Sequence, residues 1–114
     1  MESQSAAGDP VIEAMVLAIV DEVDPQMVVL FGSRGRGQGK SGSDVDLLVV
    51  EDKPFGEGRS RRSEASKLYR RLAGAGVPKD IVVVSRVDVE RWRGSVNHVI
   101  ARALREGTVL YERP

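Results

Sequence analysis

Two aspartates, Asp44 and Asp46, stand just before the apolar run from Leu47 to Val50. On a β-strand, residues two apart point to the same face, so the two carboxylates project together. Neighbouring carboxylates repel each other, and a buried strand makes that repulsion worse. A protein avoids this arrangement unless cations neutralise it, and hard carboxylate oxygens select Mg²⁺ or Mn²⁺. The pair therefore indicates a divalent-cation site, and paired metals suit an in-line displacement at phosphorus.

A third carboxylate is expected from a neighbouring strand, and Asp80 is the strongest candidate. It opens the apolar run 81–84, so an otherwise apolar strand begins with a charge. Asp52 and Asp88 fall in predicted loops and are weaker candidates. The predicted trio is Asp44, Asp46 and Asp80.

Gly32 and Ser33 follow the first predicted strand and open a segment with five glycines between positions 32 and 42. A glycine lets the backbone approach a phosphate closely, and a serine hydroxyl can donate to a phosphate oxygen. Arg34, Arg36 and Lys40 add positive charge to the same segment. We interpret 32–42 as a turn that leads to the Asp44 strand and carries candidate phosphate-binding residues.

Apolar spacing predicts the elements that must position these residues. A helix is expected from Pro10, with Asp9 as its N-cap, and the pair Asp24-Pro25 ends it. The further predictions are strands at 27–31, 44–51, 80–85 and 108–111, helices at 59–75 and 96–106, and a turn or short helix at 88–93. Ser95 is the predicted cap of the last helix. The order αββαβαβ indicates the α/β (α+β) class, with a small mixed β-sheet and helices packed against it.

The composition restricts the classes of protein. With 114 residues we expect one domain at 10–114, preceded by a flexible N-terminus at 1–9. Lys+Arg and Asp+Glu are both 17, so no net field attracts nucleic acid or a membrane, and no stretch is long enough to span a bilayer. The lack of cysteine excludes disulfides and thiolate metal sites, and without a signal peptide the cytoplasm is the expected location.

The stretch GSRGRGQGKSGSDVDLLVV resembles the signature of the DNA polymerase β-like nucleotidyltransferase superfamily, in which Gly-Ser, a spacer of about ten residues and Asp-x-Asp follow one another. KDIVVVS resembles the strand that bears the third carboxylate. The ending ALREGTVLYE resembles the minimal nucleotidyltransferases (MNT type). The similarity covers residues 27–112 and implies the nucleotidyltransferase fold.

The resemblance also implies roles for individual residues. Catalytic and metal-binding roles are implied for Asp44, Asp46 and Asp80, and nucleotide-binding roles for Gly32, Ser33 and Arg36. Asp80 would also help to activate the acceptor hydroxyl. The implied cofactors are two Mg²⁺ ions, with Mn²⁺ as the alternative, and the implied substrate is ATP.

Minimal members of the superfamily often have a HEPN-domain ribonuclease toxin as partner, so a hetero-oligomer is expected. The implied activity is antitoxin activity by transfer of AMP to a tyrosine of that toxin. Two alternatives remain open: an antitoxin that only masks its partner, and nucleotidyl transfer to a small molecule or RNA. Nucleic acid is not the expected partner, since aromatic residues make up only 4% of the chain.

Four other features are weaker signals. The glycine pattern at 37–42 matches a dinucleotide-binding loop only in part, because a strand follows where that fold needs a helix. The stretch 39–41 resembles the end of a P-loop, but Arg34 stands where the first glycine of a P-loop should be. The spacing from Arg93 to His98 is that of HEPN ribonucleases, which are all-helical; a histidine near a helix start is more commonly a surface or capping group. The arginines between 59 and 71 fit a solvated face or a docking surface, and Trp92 fits a core position.

Overall fold

The computed structural model of the protein describes residues 9–32 and 44–114. Its elements are α1 (Pro10–Val23), β1 (Met27–Phe31), β2 (Val45–Glu51), α2 (Arg61–Arg71), β3 (Lys79–Ser85), α3 (Arg86–Trp92), α4 (Val99–Glu106) and β4 (Thr108–Glu112). A 3₁₀ turn, Ala73–Ala75, follows α2. The predictions for residues 1–8 and for the glycine-rich segment beyond Gly32, with Ser33 and Arg36, lie outside the described residues.

The four strands form one sheet in the order β3-β2-β1-β4. β2 and β3 are parallel and are joined through α2, whereas β1 is antiparallel to both β2 and β4. The predicted class, a small mixed sheet with helices packed against it, is confirmed, and β4 lies at an edge of the sheet. No helix in the described part of the chain has the length and apolar character needed to cross a membrane.

Helices cover both faces of the sheet, because β2 is apolar on both sides. Leu47 and Val49 point to the face covered by α1 and α2, and Leu48 and Val50 point to the face covered by α4. All four side chains are almost completely buried. The main helix residues of the first cluster are Ile12, Met15, Ile19, Leu68 and Leu72, and those of the second are Ile100 and Ala103. This burial fixes the register of β2 and the direction in which Asp46 points.

The ends of α1 are as predicted. The Asp9 carboxylate accepts hydrogen bonds from the backbone N–H groups of Val11 and Ile12, and Pro10 is the first helical residue. Asp24 ends the helix in a left-handed conformation, with φ of 46°, which aspartate tolerates better than most residues. The end of α1 therefore fixes where β1 begins.

The predicted start of the last helix is wrong. α4 begins after His98, whose Nδ1 accepts a hydrogen bond of 3.2 Å from the N–H of Ile100. Val96, the predicted first residue of this helix, is 74% exposed and lies before it. Trp92 was expected in the core; it is 37% exposed and stacks on the His98 ring, with centroids 4.3 Å apart. His98 is thus a helix cap, and the four-stranded sheet excludes the all-helical HEPN fold.

Several arginines in and beside α2 form ion pairs within the fold. This tract is therefore not simply a solvated face. Arg61 donates two hydrogen bonds of 2.8 Å to Asp88, which also caps α3. Arg71 contacts Asp21 and Glu22 of α1. These pairs tie α2 to elements on either side of it, although exposed ion pairs of this kind contribute little to stability.

Glu51 ends β2 as a buried carboxyl group, only 4% exposed. Arg59 donates to its Oε1 at 2.9 Å, but no donor within the described residues reaches its Oε2. Burial, and next the hydrogen bond with Glu64, raise the pKa of Glu51 to about 7. Burial alone would raise the pKa of Glu64, but hydrogen bonds from Glu51 and Lys67 lower it. A proton that stays on Glu51 and is donated to Glu64 explains these observations together.

This shared proton gives a stability prediction. The folded chain retains it between pH 4.5, the ordinary pKa of glutamate, and about 7, whereas the unfolded chain releases it. The stabilisation by this proton is complete below pH 4.5 and is lost as the pH rises through about 7. The uncharged variant Glu51→Gln is expected to lack this loss, as measured by urea unfolding at pH 5 and pH 8.5.

The control for this measurement is Glu57→Gln, which changes an exposed glutamate of the loop between β2 and α2. It is expected to lose stability between the two pH values as the wild type does. Parallel losses in the wild type and in Glu51→Gln would contradict the shared proton.

Candidate active site

The register of the sheet places two of the three predicted aspartates side by side. In the parallel pair β2–β3, Asp46 lies directly opposite Asp80, and equivalent positions of adjacent strands present their side chains on the same face. Asp44 immediately precedes β2 and is exposed. The structure therefore brings Asp44, Asp46 and Asp80 together at the N-terminal ends of β2 and β3.

The pKa of Asp46 shows the effect of the other two carboxylates. Burial is the largest cause that raises the pKa of Asp46, followed by the negative charges of Asp80 and Asp44. Both neighbours thus act on Asp46, and the repulsion expected from the spacing is present in the fold. A nearby cation would relieve it, because opposite charge favours the ionised carboxylate.

Gly32 closes the site from the side of β1. Phe31 pairs with Asp46 across the antiparallel ladder, and Gly32 follows with φ of +73°. A Cβ atom added to Gly32 would overlap Oδ2 of Asp46 and lie 3.2 Å from its Cγ. A glycine is therefore needed here both for the left-handed backbone and for the close approach of backbone to carboxylate.

The weaker carboxylate candidates lie elsewhere. Asp52 pairs with Arg113 beyond the C-terminal end of β2, and Asp88 belongs to the capping box of α3 with Ser85. Within residues 9–32 and 44–114, no three Asp, Glu or His side chains already converge on one point as a metal-binding group. The backbone therefore places the three aspartates at one end of the two strands, but their side chains do not converge on a common point.

Tyr69 was not identified from the sequence as a residue of the site. The Tyr69 hydroxyl lies 3.3 Å from Oδ1 of Asp80 and accepts a hydrogen bond of 2.8 Å from the N–H of Ile81. Because the contact joins α2 to the edge of β3, no spacing within the sequence could have indicated it.

A small recess adjoins Gly32. It has a volume of about 130 Å³ and is lined by Phe31, Gly32, Val99, Arg102 and Glu106. The recess offers apolar surface, a guanidinium group and the carboxylate of Glu106 next to Gly32.

Comparison with known proteins agrees with the fold. The family model of the nucleotidyltransferase domain matches residues 13–110. A candidate nucleotidyltransferase from Sulfolobus solfataricus has a similar structure, with a TM-score of 0.62 and 19% identity over 90% of this chain and 78% of that chain. A chain of a toxin–antitoxin structure with AMP-PNP gives a TM-score of 0.56 and 21% identity, over 89% and 73%. No curated protein matched this sequence.

Proposed function

The chain belongs to the nucleotidyltransferase domain family, and from this premise we propose that it transfers AMP from ATP to a hydroxyl group of a partner protein. The observation that carries the proposal is the set of three aspartates on neighbouring strands, facing a glycine in close contact with one of them. The proposed acceptor is a tyrosine of a HEPN-type toxin, for which this chain would be the antitoxin.

The carboxylates have the chemistry that a divalent-cation site requires. Their oxygens are the hard ligands that Mg²⁺ and Mn²⁺ prefer. Burial, and next the negative charges of Asp80 and Asp44, raise the pKa of Asp46, and a bound cation would oppose both effects. Asp44 and Asp46 would hold two ions, and Asp80 would complete the set. When bound, the ions neutralise charge on the triphosphate and on the departing pyrophosphate.

The remaining residues position the reactants. The acceptor oxygen attacks the α-phosphorus, the bond between the α-phosphorus and its bridging oxygen breaks, and pyrophosphate leaves. Asp80 is proposed to accept the proton of the acceptor hydroxyl. The backbone at Gly32, the Ser33 hydroxyl and the Arg36 guanidinium are proposed to bind the terminal phosphates, so that catalysis is mainly orientation and electrostatic stabilisation.

The proposed acceptor lies on another protein, and two observations support this. The structural similarity to a chain of a toxin–antitoxin structure with AMP-PNP associates this fold with both a protein partner and an ATP analogue. The exposed carboxylates Asp44 and Asp80 also leave the site open to a second molecule.

The test is a transfer assay with two labels. The chain is mixed with a candidate HEPN-domain partner, Mg²⁺ and ATP labelled at either the α- or the γ-phosphate. We expect the α label, and not the γ label, to appear on the partner. Label from the γ position would instead show phosphoryl transfer, and neutralisation of the partner without any label would support the masking alternative.

One observation favours RNA as the alternative acceptor. The partly exposed ring pair of Trp92 and His98 is parallel within 11° and offers a surface on which a base could stack. The exposed arginines nearby in sequence are Arg91, Arg93, Arg102 and Arg105. In the two-label assay, α label recovered on added RNA rather than on protein would select this alternative.

A further inference from the structure

Tyr69 extends from α2 to the outer edge of β3. Among the described strands β3 pairs only with β2, so its other edge has no strand neighbour. The N–H of Ile81 donates at this edge to the Tyr69 hydroxyl, 2.8 Å away. A tyrosine of the preceding helix thus satisfies a backbone donor beside Asp80 that would otherwise face solvent.

The direction of the second hydrogen bond follows from the chemistry of the phenol. A phenol carries one hydrogen, and because Tyr69 accepts from Ile81, its own hydrogen is left for Oδ1 of Asp80, 3.3 Å away. This distance is long for an O–H···O bond, so the hydroxyl restrains the carboxylate only weakly.

Asp80 needs this restraint because of its neighbour Asp46. It lies opposite Asp46 in the register, and the two carboxylates repel each other. An exposed aspartate under this repulsion would turn away from the site. The Tyr69 hydroxyl, itself held by the N–H of Ile81, is a donor at a fixed place that limits this rotation.

We propose that Tyr69 is a positioning residue that holds Asp80 in the orientation in which it completes the carboxylate site. This role rests on the proposed function, since it assumes that the carboxylates bind divalent cations. It assigns a task in the site to a residue of α2 that carries no charge and is not one of the metal ligands.

The experiment measures Mn²⁺ binding to the nucleotide-free protein by electron paramagnetic resonance. Tyr69→Phe removes only the hydroxyl, and Tyr111→Phe, at the only other tyrosine of the chain, is the matched control. Loss of a hydrogen-bonding partner of a metal ligand weakens metal affinity by about tenfold or more. We therefore expect about tenfold weaker binding in Tyr69→Phe and wild-type binding in Tyr111→Phe.

Each outcome separates the possible explanations. Equal affinities in the wild type and Tyr69→Phe would overturn the role of Tyr69 while leaving the metal site intact. A wild type that binds no Mn²⁺ would reject the proposed site and this role with it. A purely structural role would lower stability in urea but leave the Mn²⁺ affinity of the folded variant unchanged. Amide exchange at Ile81 checks the bond itself: it is expected to accelerate in Tyr69→Phe, and unchanged exchange would also overturn the proposal.

Discussion

The variant Asp46→Asn is expected to lose nucleotidyl transfer by at least about a thousandfold, because metal ligands supply several kcal/mol of transition-state stabilisation. The same change is expected to leave the fold as stable as the wild type, or more stable. Asp46 lies opposite Asp80 and two residues from Asp44, and burial together with their charges raises its pKa. A raised pKa stabilises the fold only at low pH and this contribution is lost as the pH rises, so at neutral pH the uncharged asparagine relieves a repulsion.

Asp21→Asn is the control, since it makes the same chemical change at an exposed position of α1 whose partner is Arg71. It is expected to retain transfer within about twofold, because exposed ion pairs contribute little. Transfer rates from the α-labelled assay and urea unfolding at pH 7 measure the two quantities. An Asp46→Asn variant that still transfers at the wild-type rate would contradict the catalytic role of this carboxylate.

The variant Gly32→Ala is expected to reduce transfer by about a hundredfold, because a displacement of about 1 Å in an active site has an effect of this size. The added methyl group overlaps Oδ2 of Asp46, so either the carboxylate or the backbone must move. A residue with a side chain at φ of +73° is also strained, at a cost of about 1 kcal/mol.

Gly76→Ala separates the two effects. Gly76 has nearly the same φ, +75°, but an added Cβ meets nothing within 4 Å. This variant is expected to lose about 1 kcal/mol of stability and to keep its transfer rate. If Gly32→Ala lost no more activity than Gly76→Ala, the contact between Gly32 and Asp46 would have no functional importance.

Much of the fold could be predicted because β2 carries an unusually clear signal. Four consecutive apolar residues after Asp46 are buried on both faces of the sheet, and the period of two then determines where the aspartates point. The caps of α1 were predictable for a similar reason, since Asp9 and Pro10 act on residues next to them in sequence.

The remaining features depend on contacts between distant segments. The pairing of Asp46 with Asp80 is set by the register of two strands that α2 separates. The Tyr69 contact with Asp80 exists only because α2 packs along the edge of β3. His98 displaced Ser95 as the cap of α4 because its side chain reaches the N–H of Ile100, an interaction that the capping preferences did not favour.

The most direct test of the carboxylate site is calorimetric titration of ATP into the chain, with Mg²⁺ and with EDTA. The wild type is expected to bind ATP in Mg²⁺ and to bind it at least about tenfold more weakly in EDTA, since carboxylates alone repel the triphosphate. The Asp44→Asn/Asp46→Asn double variant is expected to lose the enhancement by Mg²⁺. Equal ATP affinity with and without Mg²⁺ in the wild type, or an unchanged enhancement in the double variant, would contradict a metal-dependent nucleotide site built on these aspartates.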